Sequence, residues 1–80
     1  MKAVYFTPAA TRQWRKLSVD IRNRFDAKLM TYAKDGSGDV KRLKGGGGCR
    51  LRIGDWCVIF IEDAKSIIVI AVGHRNEIYN

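Results

Sequence analysis

An α+β fold, two helices packed on a small, mainly antiparallel sheet in the order βααβββ, is predicted by three features of the sequence. Apolar residues recur at helical spacing between residues 8 and 34. From residue 49 onward they follow strand spacing instead. No repeat, low-complexity tail or long linker divides the chain, so residues 1–80 read as a single domain. A chain this short buries only about 60–65% of the surface it exposes when unfolded, and its core is therefore thin. With 46% hydrophobic residues it still has the composition of a folded domain rather than a disordered one.

Val4-Tyr5-Phe6 reads as a short strand stopped by Thr7-Pro8, where Thr caps a helix and Pro fits its first position. Ala10, Trp14 and Leu17 then form the buried stripe of a helix that leaves Arg12, Arg15 and Lys16 to solvent. Ser18 caps a second helix over Val19 to Lys34, with Ile21, Phe25, Leu29 and Tyr32 on one side. Asp20 in its first turn complements the helix dipole. A turn cluster at Asp35–Asp39 leads into a short extended segment, Val40 to Lys44, and then into Gly45-Gly46-Gly47-Gly48. This run reads as a flexible loop, because a phosphate-cradling loop needs a helix after it and a strand follows.

Cys49 to Ile53 and Trp56 to Ile61 are two strands joined by the tight turn Gly54-Asp55, which pairs Ile53 with Trp56, Arg52 with Cys57, Leu51 with Val58 and Arg50 with Ile59. Cys49, Leu51, Ile53, Trp56, Val58 and Phe60 then share the face toward the helices. Arg50, Arg52 and Cys57 share the other, with Cys57 expected to be exposed. Ile67 to Val72 is apolar on both faces, the mark of a central, covered strand.

Fifteen Lys and Arg against eight Asp and Glu leave a formal charge of +7. Such a surplus attracts polyanions, although solubility alone is also served by it. Two guanidinium groups on one face of a strand stand about 7 Å apart, near the spacing of successive phosphates in a nucleic acid. A solvated sheet edge shows the same Arg-Leu-Arg alternation. The single His74 lies beside Arg75 where the last strand ends, and imidazole is the side chain that can take up a proton near neutrality. The N-terminal apolar run is too short for a signal peptide and no segment is long enough to span a membrane, so a cytoplasmic location is expected. In that reducing setting Cys49 and Cys57 are expected as free thiols, and no metal or other cofactor is implied.

The ordered set Val40-Lys41-Arg42-Leu43-Lys44-Gly45, Arg50-Leu51-Arg52-Ile53-Gly54-Asp55-Trp56, Val58-Ile59-Phe60 and Val72-Gly73-His74-Arg75-Asn76-Glu77-Ile78-Tyr79 resembles the RelE/ParE toxin superfamily over nearly the whole chain. The resemblance implies the RelE-like fold and a toxin of a type II toxin–antitoxin system, held in check by a cognate antitoxin. In the RelE branch the activity is metal-independent cleavage of mRNA on the ribosome. By position, Arg50 and Arg52 would contact the scissile phosphate and activate the nucleophile, Arg75 would stabilise the transition state, and Tyr79 would position a nucleotide. Lys41 and Lys44 would hold RNA with Arg50 and Arg52. His74, where some relatives carry another basic side chain, would be the proton acceptor.

One position departs from the pattern, since Cys57 stands where the family usually has an arginine and cannot grip phosphate as arginine does. Two alternatives therefore stay open: a ParE-like poison of DNA gyrase, and a toxin homologue with weakened catalysis.

Overall fold

The computed structural model describes residues 1–78 and orders the elements as β1 (Ala3–Phe6), α1 (Pro8–Arg15), α2 (Val19–Asp35), β2 (Val40–Arg42), a 3-10 turn (Lys44–Gly46), β3 (Cys49–Ile53), β4 (Trp56–Glu62), β5 (Ser66–His74) and the short α3 (Arg75–Ile78). The sheet order is β1-β5-β4-β3-β2. Only the β1–β5 pair is parallel, and the other three pairings are antiparallel, as the fold class expected.

Both helices begin where their capping residues stand. Thr7 accepts the Ala10 amide at 3.1 Å with Pro8 in the first turn, and Ser18 accepts the Ile21 amide at 3.3 Å. At the far end of α2, Gly36 takes φ 79° and donates its amide to the Tyr32 carbonyl, which closes the helix in the left-handed conformation that glycine enters without strain. Phe25, Leu29 and Ala33 of α2 and Ala10 of α1 meet Leu51, Ile53, Val58, Phe60, Ile67, Val69 and Val72 of the sheet. Phe6, Trp14 and Phe25 add a chain of ring contacts at 5.1 and 5.9 Å.

The β3–β4 register is the one read from the Gly54-Asp55 turn, Ile53↔Trp56 through Arg50↔Ile59. The β4–β5 pairing is less regular. Phe60 pairs with Val69 but Ile59 with Ala71, so Ile70 is an extra residue in β5. This bulge shifts the alternation of everything after it. Val72 and His74 turn to the helix side and Gly73 to the outer face, opposite to the unbroken alternation.

The glycine run differs from the flexible loop expected of it. Lys44–Gly46 forms a 3-10 turn, and the Leu43 amide donates to the Gly48 carbonyl at 2.9 Å. Gly48 has φ 95°, and a Cβ there would stand 2.5 Å from the Phe60 carbonyl oxygen. It is glycine because the backbone of β4 passes too close for anything larger.

Near the glycine turn, where Glu62 shares a cavity with Gly46 and Gly48, Tyr32 Oη donates to Glu62 Oε1 at 2.5 Å while Lys2 Nζ donates to Oε2 at 2.7 Å. Burial and the Glu62 contact push the Tyr32 phenol up from 10.0 to about 12. Burial also acts to raise Glu62, but the bonds from Lys2 and Tyr32 outweigh it and hold the carboxyl below its usual range. The two groups contribute stability with opposite signs in pH. That of Glu62 is present above the ordinary carboxylate range and lost as pH falls through it, whereas that of Tyr32 is present below pH 10.0 and lost as pH rises toward about 12.

Two predictions follow from this packing. Gly48→Ala should cost roughly 2–4 kcal/mol, from positive φ and a backbone clash together, while Gly46→Ala, with open space around it, should cost only about 1–2 kcal/mol; urea unfolding of the two variants checks the contrast. Tyr32→Phe should lower stability by about 0.5–1.5 kcal/mol at pH 7 and flatten the loss of stability between pH 10 and 12, as thermal melts across that range would read.

Candidate nucleic-acid interface

The face of the sheet away from the helices is built by alternation from β2, β3 and β4. Lys41, Arg50 and Ile59 form one row across it, and Arg52, Cys57 and Gly73 the next. Lys41 and Arg52 are exposed and Arg50 is half-buried. Arg52 is held by a bond from its Nε to the Gly54 carbonyl at 2.9 Å. Arg75 reaches the same region from the start of α3. Its amide donates to the Asp55 carbonyl at 2.9 Å and its Nε lies 3.9 Å from Asp55 Oδ1. Both of those side chains are well exposed, so the ion pair aims Arg75 more than it stabilises the fold.

The three arginines converge on Cys57. The sequence reading expected this thiol to be exposed, and the structure corrects it: Cys57 is fully buried, 0% exposed. It sits on β4, an inner strand of the sheet, directly opposite Arg52. Burial pushes the thiol up from its usual value, against the downward pull of Arg50, Arg52 and Arg75, while Asp39 adds to the rise. Cys57 is therefore a neutral, buried thiol within the electrostatic reach of three arginines, and an inert one. Cys49 faces the helix side, paired with Phe60, so the two free cysteines lie on opposite faces as expected.

The other candidates are distributed differently. His74 pairs with Trp56 on the helix side, its ring 5.5 Å from the indole and edge-on to it. Its Nδ1 accepts the Asn76 amide at 3.2 Å, which in the neutral ring leaves the proton on Nε2. The imidazole thus belongs to the end of β5 but not to the arginine face. Lys44 begins the 3-10 turn and is exposed, beyond the two rows. Tyr79 lies outside the described residues. Among those residues, no group of three or more His, Cys, Asp or Glu could hold a metal ion, and no helix is long and apolar enough to cross a membrane.

Three residues of this region carried no functional signal in the sequence. Asp55 reads only as a turn residue, and Asp39 only as part of a polar cluster. Gln13 drew no reading from the sequence, and its Oε1 accepts the Val72 amide at 2.8 Å. It does so because β1 pairs with β5 only as far as Val69.

Comparison with known proteins agrees with this architecture. The family model described as the ParE toxin of the type II toxin–antitoxin system, parDE, matches residues 4–79. No curated protein sequence matches the chain significantly. The structure is similar to the RelE toxin in its antitoxin complex from Methanococcus jannaschii, with a TM-score of 0.77, 24% identity and 94% of each chain covered. It is similar also to the isolated E. coli RelE toxin, with a TM-score of 0.78, 23% identity and coverage of 92% of this chain and 84% of that one. YafQ from E. coli aligns over 100% of both chains with a TM-score of 0.76 at 12% identity. At these identities the likeness establishes the fold.

The burial of Cys57 gives a direct prediction. Under native conditions an aromatic disulfide reagent should modify Cys49 first, with Cys57 protected until the fold opens; mass spectrometry of the labelled peptides, with and without denaturant, would read the order.

Proposed function

The chain belongs to the ParE toxin family of type II toxin–antitoxin systems, and from that premise we propose that it is an endoribonuclease toxin that cleaves mRNA on the ribosome. The observation that carries this reading is the convergence of Arg50, Arg52 and Arg75 on one spot of an exposed sheet face. Three positive charges around a neutral thiol are suited to a phosphodiester whose negative charge grows during reaction.

In the proposed reaction a ribose 2′-oxygen attacks the adjacent phosphorus and loses its proton. The bond from phosphorus to the 5′-oxygen breaks, and that oxygen gains a proton. The products are a 2′,3′-cyclic phosphate and a free 5′-hydroxyl. The arginines act chiefly on the phosphorane-like transition state, where the oxygens carry more charge than in the ground state. Lys41 extends the charged row along the strand, and Lys44 holds RNA outside the reaction centre. Tyr79 keeps the nucleotide-positioning role that the resemblance implies.

Proton transfer is the demanding step. Arginine side chains stay protonated, so they position and stabilise rather than accept a proton. His74 is the acceptor in this reading, reached by a substrate that passes over the end of β5, and the Asn76 bond to Nδ1 must yield for the ring to act. The structural likeness to RelE and YafQ toxins, several of them in complexes with antitoxins, supports an antitoxin partner, and the resemblance to the RelE branch supports the ribonuclease class.

A second reading, a gyrase-poisoning toxin without nuclease activity, is favoured by two observations. The arginine face lacks the fourth basic side chain where Cys57 stands, and His74 lies on the other side of the sheet.

Brief induction of the chain without its antitoxin, followed by primer extension on cellular mRNAs, separates the readings. The ribonuclease predicts cuts within translated codons that fall by about 10²–10³-fold in Arg75→Ala. Intact messages with arrested growth and DNA-damage signalling would reject it in favour of gyrase.

A further inference from the structure

Besides the arginine face, the chain has a cleft that the proposed reaction does not use. It lies between the end of α1 and α3, has a volume of about 520 Å³, and is lined by Gln13, Lys16, Leu17, Trp56, Val72, Gly73 and Glu77. That size falls within the roughly 300–1,000 Å³ of small-molecule sites. We infer that this cleft receives a nucleobase of the bound RNA, from a nucleotide flanking the scissile phosphate. The inference rests on the RNA reading above and adds a subsite to it.

The lining has the chemistry a base requires. Leu17 and Val72 are nearly buried and Trp56 is half-buried, so the floor is apolar and partly aromatic. Stacking on an aromatic side chain contributes about 1–3 kcal/mol per base and tolerates any sequence. The walls are polar and differ in kind. Gln13 spends its oxygen on the Val72 amide, which leaves its amide hydrogens as donors, whereas Glu77 offers acceptors only. Lys16 supplies a cation at the rim for the attached phosphate. Among the described residues, no carboxylate lies within 4 Å of Lys16, so its charge is not spent on an ion pair.

Position links the cleft to the arginine face. Gly73 borders the cleft and pairs with Cys57, the thiol among the arginines. Trp56 borders the cleft and touches His74. The two sites therefore lie back to back across the ends of β4 and β5, separated by about one sheet thickness. A single strand of RNA that leaves the arginines, rounds the end of the sheet at Arg75 and enters the cleft passes His74 on the way. A side chain of a protein partner is the competing occupant, but the pairing of donor and acceptor walls with a rim cation fits a nucleotide better.

The test uses the full chain and a non-cleavable 2′-O-methyl hexanucleotide labelled with fluorescein. Binding is read by anisotropy of the label and, in a Trp14→Phe background, by the emission of Trp56. Saturable quenching of Trp56 with the same midpoint as the anisotropy is expected. Lys16→Gln, a fully exposed change that should not disturb folding, should weaken binding by about 3–10-fold and lower the salt slope by about one. Undiminished RNA binding with unchanged Trp56 emission and no effect of Lys16→Gln would assign the cleft to another occupant and overturn the inference. Absence of any binding in the anisotropy signal would overturn the inference as well, whereas the ribonuclease reading stands or falls separately on the mRNA cuts described above.

Discussion

The pairing of β4 with β5 is the contact on which the rest of the molecule depends. It joins the only parallel strand to the antiparallel ones, and it carries the bulge that decides which way the last residues point. Before the bulge, Ile67 and Val69 face the helices; after it, Val72 and His74 do. Had the same residues paired without the bulge, alternation would have carried His74 to the arginine face. A single inserted backbone unit thus divides the candidate chemistry into two neighbouring sites.

The same logic explains what was readable in the sequence and what was not. Gly54-Asp55 leaves little choice of turn, so the partners of Arg50 and Arg52 and the face they share followed from counting residues. Thr7-Pro8 and Ser18 marked both helix starts for similar reasons. The bulge in β5 left no trace, because Ile67 to Val72 is apolar throughout and a change of phase in an unbroken apolar run is invisible to periodicity. The side of the sheet chosen by His74 was hidden with it. The burial of Cys57 was missed for a different reason: alternation assigns a face, whereas depth depends on what covers that face.

Electrostatically, the molecule is a positive cluster around a neutral thiol rather than a conventional acid–base pair. Strand register places Arg50 and Arg52 on one face, the Gly54 carbonyl holds the Arg52 side chain, and the Asp55 carbonyl holds the Arg75 backbone beside them. An arginine at position 57 would have added a fourth grip but also a fourth like charge in a confined space. The neutral thiol avoids that repulsion.

The parallel pairing of β1 has a consequence for how the protein is made. Within the sheet Ala3–Phe6 pairs with Ser66–Val69, across some 60 intervening residues, and such distant contacts form slowly. During synthesis β1 emerges well before β5, its partner in the sheet, and waits for it. Until β5 has left the ribosome there is no place for Arg75 beside Asp55. The order of translation therefore withholds the cationic site until β5 itself has been made.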